Sequence, residues 1–403
     1  MSLLTSKHLL LGVTGSIAAY KAADLASKLT QEGALVDVIL TPAAEKFVTP
    51  LTFQSVTGRK AFTEADLWGG EAHVLHVGLG HSADLLVLAP CTANTLAKLA
   101  HGIADNLLTI TALAARGPIL IAPAMDVGMF SHPATQENLA KLVERGAHIA
   151  GPAEGRMASG LVGKGRMVEP AELLGHIRLV LGKNGKLAGR KVVVTAGGTQ
   201  EPLDPVRVLT NRSSGKQGYA LAQAALDAGA QVTLISTPAG LAPPVGARLL
   251  AVRTAQEMLE AVRTESAGVD ALLMAAAVAD FRPKRVAENK LKKRDGIPQI
   301  ELEAAPDVLL EVAGLASRKP RIVVGFAAES RDLLENAASK LKSKNLDMIA
   351  ANDITAADAG FGAETNRVTL LYAGGQKETL PLMSKAEVAE EIVVRLAALL
   401  ENK

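Results

Sequence analysis

Leu9-Leu10-Leu11-Gly12-Val13-Thr14-Gly15-Ser16 decides the fold class, because an unbroken apolar run of strand length passes directly into a Gly-rich turn. The arrangement returns at Val192-Val193-Val194-Thr195-Ala196-Gly197-Gly198-Thr199. After each copy come a helix-patterned segment and a second strand, 35–40 ahead of Thr41-Pro42 and 231–235 ahead of Ser236-Thr237-Pro238. Short buried strands alternating with amphipathic helices predict parallel sheets joined by right-handed crossovers. The chain therefore reads as α/β, with two doubly wound, mainly parallel-sheet domains. Ser16 is placed to cap the first helix, where Ile17, Leu25 and Leu29 recur near helical spacing. The segment from Gly182 to Arg190 has three glycines and three basic residues in nine positions and reads as an exposed connection. The boundary is set near residue 186, giving domains 1–186 and 187–403.

Composition narrows the function. The 403 residues carry 43 Lys+Arg against 41 Asp+Glu, a net charge of +2 that supplies no global field for a nucleic-acid backbone. Aromatics at 3% are too few for base-stacking platforms. A single cysteine, Cys91, excludes an intramolecular disulfide framework and any multi-cysteine metal site, and points to a reducing compartment. The longest apolar run, Ala271 to Ala279, is about half a membrane span, and the first eleven residues lack a cleavable signal's pattern. The expectation is a cytoplasmic protein with no nucleic-acid or membrane partner.

In the first half, Gly12-x-x-Gly15-Ser16 can present backbone N–H groups and a hydroxyl to a phosphate at a helix start, although a plain tight turn has the same sequence. A dinucleotide site would place an acid at the end of the second strand; Thr41 stands there, so a mononucleotide such as FMN fits better than NAD. The strand ends at Pro90-Cys91-Thr92-Ala93-Asn94 and Pro123-Ala124-Met125-Asp126 are the places where ligands sit in such sheets. His73, His76 and His81 have poor spacing for zinc; one acting as acid or base suits them better. The Gly-rich stretch from Gly155 to Met167, with its basic residues, reads as a mobile loop able to close over an anion.

In the second half, Thr210-Asn211-Arg212-Ser213-Ser214-Gly215-Lys216-Gln217-Gly218 precedes a helix starting near Tyr219. It is no Walker A sequence, yet its hydroxyls, amides and glycines suit phosphate or carboxylate recognition. Asp280 follows the strand ending Ala275-Ala276-Ala277-Val278-Ala279 and could hold Mg²⁺ with phosphates, or cap the next segment. From Arg282 to Arg294, seven basic residues face one acid, the clearest polyanion signal in the chain. Lys340 and Lys344 are spaced for one helical face.

Assembled in order, these segments resemble the bifunctional family of coenzyme A biosynthesis that joins a phosphopantothenoylcysteine decarboxylase to a phosphopantothenate–cysteine ligase. The likeness spans essentially the whole chain. Gly15 to Lys21, Pro123-Ala124-Met125, Gly163 to Met167, Asn211 to Gly215, Ala276 to Phe281 and Gly325 to Glu329 carry it. It implies a flavodoxin-like first domain and a Rossmann-like second. The second would condense 4′-phosphopantothenate with cysteine through an acyl-cytidylate, using CTP and Mg²⁺. By family position, Asn211 contacts that intermediate, Asp280 holds metal and nucleotide, and Lys290, Lys340 and Lys344 bind CTP. Ala275, Ala276, Pro306, Asp307, Val308, Leu309 and Phe326 line the site. The first half would use FMN to decarboxylate 4′-phosphopantothenoylcysteine to 4′-phosphopantetheine. Gly15, Ser16, Thr41, Pro90, Thr92 and Asn94 bind FMN by position, His76 is the catalytic histidine, and Met125, Asp126 and Arg166 meet the substrate. The resemblance further implies a homo-oligomer built on trimers.

Two departures stand out. The family's Pro-x-Met-Asn reads Pro123-Ala124-Met125-Asp126, placing an acid where an amide binds the substrate carboxylate. The family's proton-donating cysteine aligns with Ser159, whose hydroxyl is a far weaker acid. Cys91 is a possible substitute donor or a small core residue. These departures leave open a ligase joined to a flavin domain of altered or lost decarboxylase activity, or a regulatory flavoprotein.

Overall fold

The structure is a computed structural model that describes residues 2–68, 74–315, 319–329, 332–353 and 363–403. It divides into two compact units, Met1–Leu181 and Gly182–Lys403.

In the first unit the strands are β1 (His8–Val13), β2 (Leu35–Leu40), β3 (Ala61–Phe62), β4 (Leu85–Cys91), β5 (Ile119–Pro123), β6 (His148–Ile149), β7 (Ala153–Arg156) and β8 (Val162–Arg166). The helices are α1 (Ala19–Gln31), α2 (Pro50–Thr57), α3 (Glu64–Leu67), α4 (Leu75–Ser82), α5 (Ala93–His101), α6 (Leu107–Ala114), α7 (Val127–Ser131), α8 (Pro133–Glu144) and α9 (Pro170–Gly182). Over the described residues, six strands form one sheet in the order β3-β2-β1-β4-β5-β6, with β1 parallel to both β2 and β4. Successive β1 side chains leave on opposite faces. Leu9, Leu11 and Val13 join a core with α1, α2 and α9, whereas Leu10 joins one with α4, α5, α6 and α8. The chain turns to different faces after β1 and β4, and this opens a crevice at their carboxyl ends.

Two local readings change. α1 begins at Ala19 behind an Ala18 cap that has no side-chain bond; Ser16 instead accepts the Ala18 N–H at 3.2 Å, inside the preceding turn. The stretch 155–167 is an antiparallel hairpin, β7–β8, rather than a loop. Its glycines let the strands lie against bulky neighbours, so a Gly-rich composition and regular pairing coexist.

In the second unit the strands are β9 (Lys191–Ala196), β10 (Gln200–Asp204), β11 (Arg207–Thr210), β12 (Gln231–Ser236), β13 (Arg248–Ala251), β14 (Ala271–Met274), β15 (Phe281–Pro283), β16 (Leu302–Ala304), β17 (Ile322–Glu329), β18 (Met348–Asp353), β19 (Thr365–Asn366), β20 (Val368–Tyr372), β21 (Lys377–Thr379) and β22 (Met383–Ser384). The helices are α10 (Lys216–Asp227), α11 (Ala255–Glu265), α12 (Val308–Ala313), α13 (Leu333–Ser343) and α14 (Lys385–Glu401). The main sheet runs β13-β12-β9-β14-β17-β18-β20-β21. It is parallel from β13 to β18 and antiparallel at β20 and β21. α10 starts at Lys216, three residues before Tyr219, because Gly215 adopts φ +73° as its cap. That conformation suits glycine, and a Cβ there would meet the Ala239 Cβ at 2.9 Å.

Candidate functional sites

The second unit gathers its polar strand ends around a cavity of about 380 Å³. Asn211, Ser213 and Ser214 enter from the loop before α10, residues 275–280 from the end of β14, and 305–309 from the turn into α12. Phe326 of β17, Lys340 of α13 and Lys344 at its carboxyl cap complete one wall. The loops are tied together: Ala277 N donates to the Gly197 carbonyl at 2.8 Å, and the Thr199 hydroxyl accepts the Ala279 N–H at 2.9 Å. The Asn211 amide donates to the Ala277 and Val278 carbonyls at 3.3 and 3.2 Å. Lys344 pairs with Asp307 at 3.0 Å, which fixes an ammonium at the rim. Asp280 is exposed at the mouth, its carbonyl accepting the Ala305 N–H at 2.9 Å. Of the sequence-derived ligase residues, Asn211, Ala275, Ala276, Asp280, Pro306, Asp307, Val308, Leu309, Phe326, Lys340 and Lys344 share this cavity.

Lys290 does not line it. The basic segment leaves β15 and docks on the β10–β11 hairpin, where Ala287 donates to the Leu203 carbonyl at 3.0 Å and Leu291 donates to Asp204 at 3.1 Å. Backbone bonding thus sets its path and leaves the Lys290 side chain exposed.

Sequence reasoning gave no role to Asn352, Asn366 or Lys385, which line the same cavity together with Lys216 and Gln217 of the 210–218 segment. Asn366 donates to Gln217 at 3.3 Å, Gln217 donates to the Lys385 carbonyl at 3.2 Å, and Lys216 pairs with Glu364. Lys385 is buried, and desolvation followed by the Lys216 charge holds its ammonium below the ordinary lysine range. Asn352 was the most findable, since it stands at the carboxyl end of a strand. Lys385 carried no local signal, because nearly 170 residues separate it from Gln217.

In the first unit, Ser16 is at the turn after β1, Thr41 just past β2, and Pro90, Thr92 and Asn94 at the end of β4 and the start of α5. Thr14 Oγ1 binds the two arms together, donating to the Pro90 carbonyl at 2.7 Å and accepting the Thr92 N–H at 3.1 Å. Thr92 caps α5 through Thr95 N, and Thr41 accepts the Ala44 N–H at 3.3 Å. The three hydroxyl protons are spent on the protein itself, on Pro90 O, Val13 O and Thr95 Oγ1, so these threonines shape the crevice. A Cβ at Gly15 would stand 2.5 Å from the Ala43 Cβ, so the turn can close only on glycine. The Ser16 hydroxyl and the Asn94 amide, at the turn after β1 and the start of α5 in a switch-point crevice, suit the phosphate and polar edge of a mononucleotide.

Beside this crevice a cavity of about 530 Å³ is walled by Ser16, Ile17, Tyr20, Lys21, Met125, Asp126 and the β7–β8 hairpin, including Arg156, Ser159 and Arg166. Met125 N donates to the Gly165 carbonyl at 3.0 Å, and a Cβ at Gly165 would stand 2.3 Å from Met125 O. The two departures noted in the sequence meet here: Ser159 Oγ donates to Asp126 Oδ2 at 2.5 Å, and Gly128 N donates to Oδ1 at 3.1 Å. Those bonds, Ser159 first, hold the Asp126 carboxyl below the usual carboxylate range. His76 lies on half-buried α4, whose Leu79 packs in the α5–α6 core, and it is not in the cavity wall. His73 lies outside the described residues. Cys91 is fully buried and burial pushes its thiol up to about 12, so it is a core residue and no proton donor. Among the described residues no helix is long and apolar enough to cross a membrane.

Residues 2–181 match the family described as Flavoprotein, and residues 187–400 match the DNA/pantothenate metabolism flavoprotein C-terminal domain. Coenzyme A biosynthesis bifunctional protein CoaBC of Bacillus subtilis is 46% identical over 400 residues, covering 98% of each chain. The protein of the same name from Vibrio cholerae is also 46% identical, over 395 residues, again covering 98% of each. Among solved structures, the C-terminal domain of a coenzyme A biosynthesis bifunctional protein CoaBC is 40% identical, covering 53% of this chain and 97% of its own, with a TM-score of 0.46. Matched end to end in both halves, the chain belongs to the bifunctional CoaBC family and is a flavoprotein enzyme of coenzyme A biosynthesis.

Proposed function

We propose that the second unit joins 4′-phosphopantothenate to cysteine at the expense of CTP, and that the first decarboxylates the product with FMN to give 4′-phosphopantetheine. The observation that carries the first step is the convergence of Asn211, Asp280, Lys340 and Lys344 on one cavity. Lys340 and Lys344 bind the triphosphate, and Asp280 with phosphate oxygens holds Mg²⁺, a donor set typical of that ion. The substrate carboxylate attacks the α-phosphorus, pyrophosphate leaves, and the cysteine amine then displaces CMP from the acyl carbon. Asn211, anchored to the 277–278 carbonyls, positions the acyl group. Assigning Lys290 to CTP requires its segment to approach the cavity; Lys290→Gln tests this by raising the CTP requirement while leaving flavin binding intact.

For the decarboxylation, Gly15, Ser16, Thr41, Pro90, Thr92 and Asn94 would hold FMN, and the flavin would supply a reversible two-electron oxidation of the substrate thiol. Arg156, Arg166 and Lys21 supply the positive charge that draws the carboxylate of 4′-phosphopantothenoylcysteine into the adjoining cavity. Ile17 and Tyr20 are each 62% exposed in this wall, and His76 is not part of it. Both features fit a site completed by His76 of a neighbouring copy in a trimer-based homo-oligomer.

Purified protein supplied with CTP, Mg²⁺, cysteine, FMN and 4′-phosphopantothenate is expected to release CMP and CO₂ and to form 4′-phosphopantetheine. CMP without CO₂ would instead support a ligase whose flavin half has altered chemistry, the alternative raised by the departures at Asp126 and Ser159. Absence of both products would sink the proposal.

A further inference from the structure

Exchanging a carboxylate for hydrogen consumes one proton per turnover, and that proton needs a source close to the carbon that loses CO₂. The inference rests on the decarboxylase reading above. In the same cavity as Lys21, Arg156 and Arg166 stands Asp126, and among the described residues it forms no ion pair. Glu169 engages Lys21 at 2.7 Å and Arg166 at 3.2 Å, which spends part of the positive charge. The other titratable groups on the elements packed around Asp126 are Glu154 and Lys164 on the hairpin, His132 between α7 and α8, and Tyr20 on α1. A substrate carboxylate drawn in by the arginines therefore meets a second carboxylate. Two such groups at close range cannot both stay ionised, and the pair retains one proton between them.

We propose that substrate binding loads one solvent proton onto the pair formed by Asp126 and the substrate carboxylate, and that Asp126, through Ser159, returns it to the carbon vacated by CO₂. The bond to the carboxyl carbon breaks, and its electron pair stays on the substrate carbon in conjugation with sulfur. As CO₂ departs, the shared proton remains on Asp126, whose repulsive partner is gone. Ser159 Oγ already lies in contact with Oδ2; once Oδ2 carries the proton the bond reverses, Asp126 donates to Oγ, and Ser159 passes its freed proton to the carbon while taking that of Asp126. The electron pair that completes reduction to the thiol is the one removed from the substrate thiol earlier in the turnover, so atoms and charge balance. Ser159 alone would be too weak an acid; coupled to a protonated carboxyl it is a relay.

The test uses the FMN-loaded full-length protein and 4′-phosphopantothenoylserine, whose hydroxyl cannot undergo the thiol oxidation. Calorimetric titration in buffers of differing ionisation enthalpy counts protons bound per ligand, and comparison with Asp126→Asn removes the phosphate group's own titration. The expected result is about one more proton taken up by the wild type than by Asp126→Asn. Over that pH range its Kd should rise about tenfold per unit relative to the variant. With 4′-phosphopantetheine, which lacks the carboxylate, the two proteins should match. Ser159→Ala should keep the extra proton on binding yet form product about 10²–10⁴-fold more slowly, with CO₂ released ahead of 4′-phosphopantetheine. Equal proton uptake by wild type and Asp126→Asn, with the serine analogue bound by both, would overturn the relay alone. Failure of either protein to bind the analogue, with FMN retained, would overturn the decarboxylase reading and the relay with it.

Discussion

Lys385 shows how a single buried cation can matter on both sides of the folding equilibrium. Its folded pKa lies below the ordinary lysine value because burial and Lys216 disfavour the charged form. The native state therefore loses stability from this group at pH values below its folded pKa, and recovers it as pH climbs toward the unfolded value of about 10.4. Urea midpoints of Lys385→Met should accordingly gain on those of wild type below that window and converge above it. Lys216→Met should raise the Lys385 pKa, as read by NMR of ¹³C-labelled lysine side chains. The rim lysines are a different case, since their proposed role is to act on the nucleotide. Lys340→Gln removes one charge-assisted contact, worth about 1.5–3 kcal/mol, and should raise the KM for CTP roughly 10–150-fold with FMN absorbance unchanged.

At the scale of elements, the β7–β8 hairpin is held to the loop after β5 by the backbone bond from Met125 N to Gly165 O and by Ser159 Oγ on Asp126. Gly165→Ala places a methyl 2.3 Å from Met125 O and must part the hairpin from the loop after β5. The expected outcome is loss of CO₂ release with CMP release unchanged. Periodicity made the core strands legible: the apolar runs at 9–13 and 192–196 became β1 and β9, because fully buried parallel strands advertise themselves. The hairpin was not legible, because glycine composition is read as looseness when pairing geometry is invisible. The start of α1 was misplaced for a related reason. A serine before a helical pattern can cap a helix or stabilise the turn before it, and only backbone dihedrals distinguish the two. In the ligase cavity, residues on consecutive strand-end loops could be found from their order along the chain, whereas Lys385 and Asn366 arrive through the antiparallel return of β18, β20 and β21.

For the whole molecule, each unit holds its own sheet and its own buried cores. Separate expression of residues 1–181 and 182–403 should give two folded proteins, with cooperative thermal unfolding in each and CTP-dependent CMP release confined to the second. The proposed sharing of a site between copies makes a further demand on the full-length chain. Subunits carrying His76→Asn and subunits carrying Ser159→Ala should each be impaired alone, yet regain part of their CO₂ release when mixed under conditions that exchange subunits. No recovery, with mixed oligomers demonstrated, would place His76 at the cavity of its own chain. The burial of Cys91 has one more consequence. Every thiol compound proposed to pass through this enzyme can become a disulfide under oxidative stress, and an exposed cysteine would be captured by it as a mixed disulfide. With its single thiol walled into the core and a serine at the hairpin tip, the protein gives such molecules nothing to exchange with. Oxidation would then starve the enzyme of reduced substrate without crosslinking it, and supply could resume as soon as the pool was reduced.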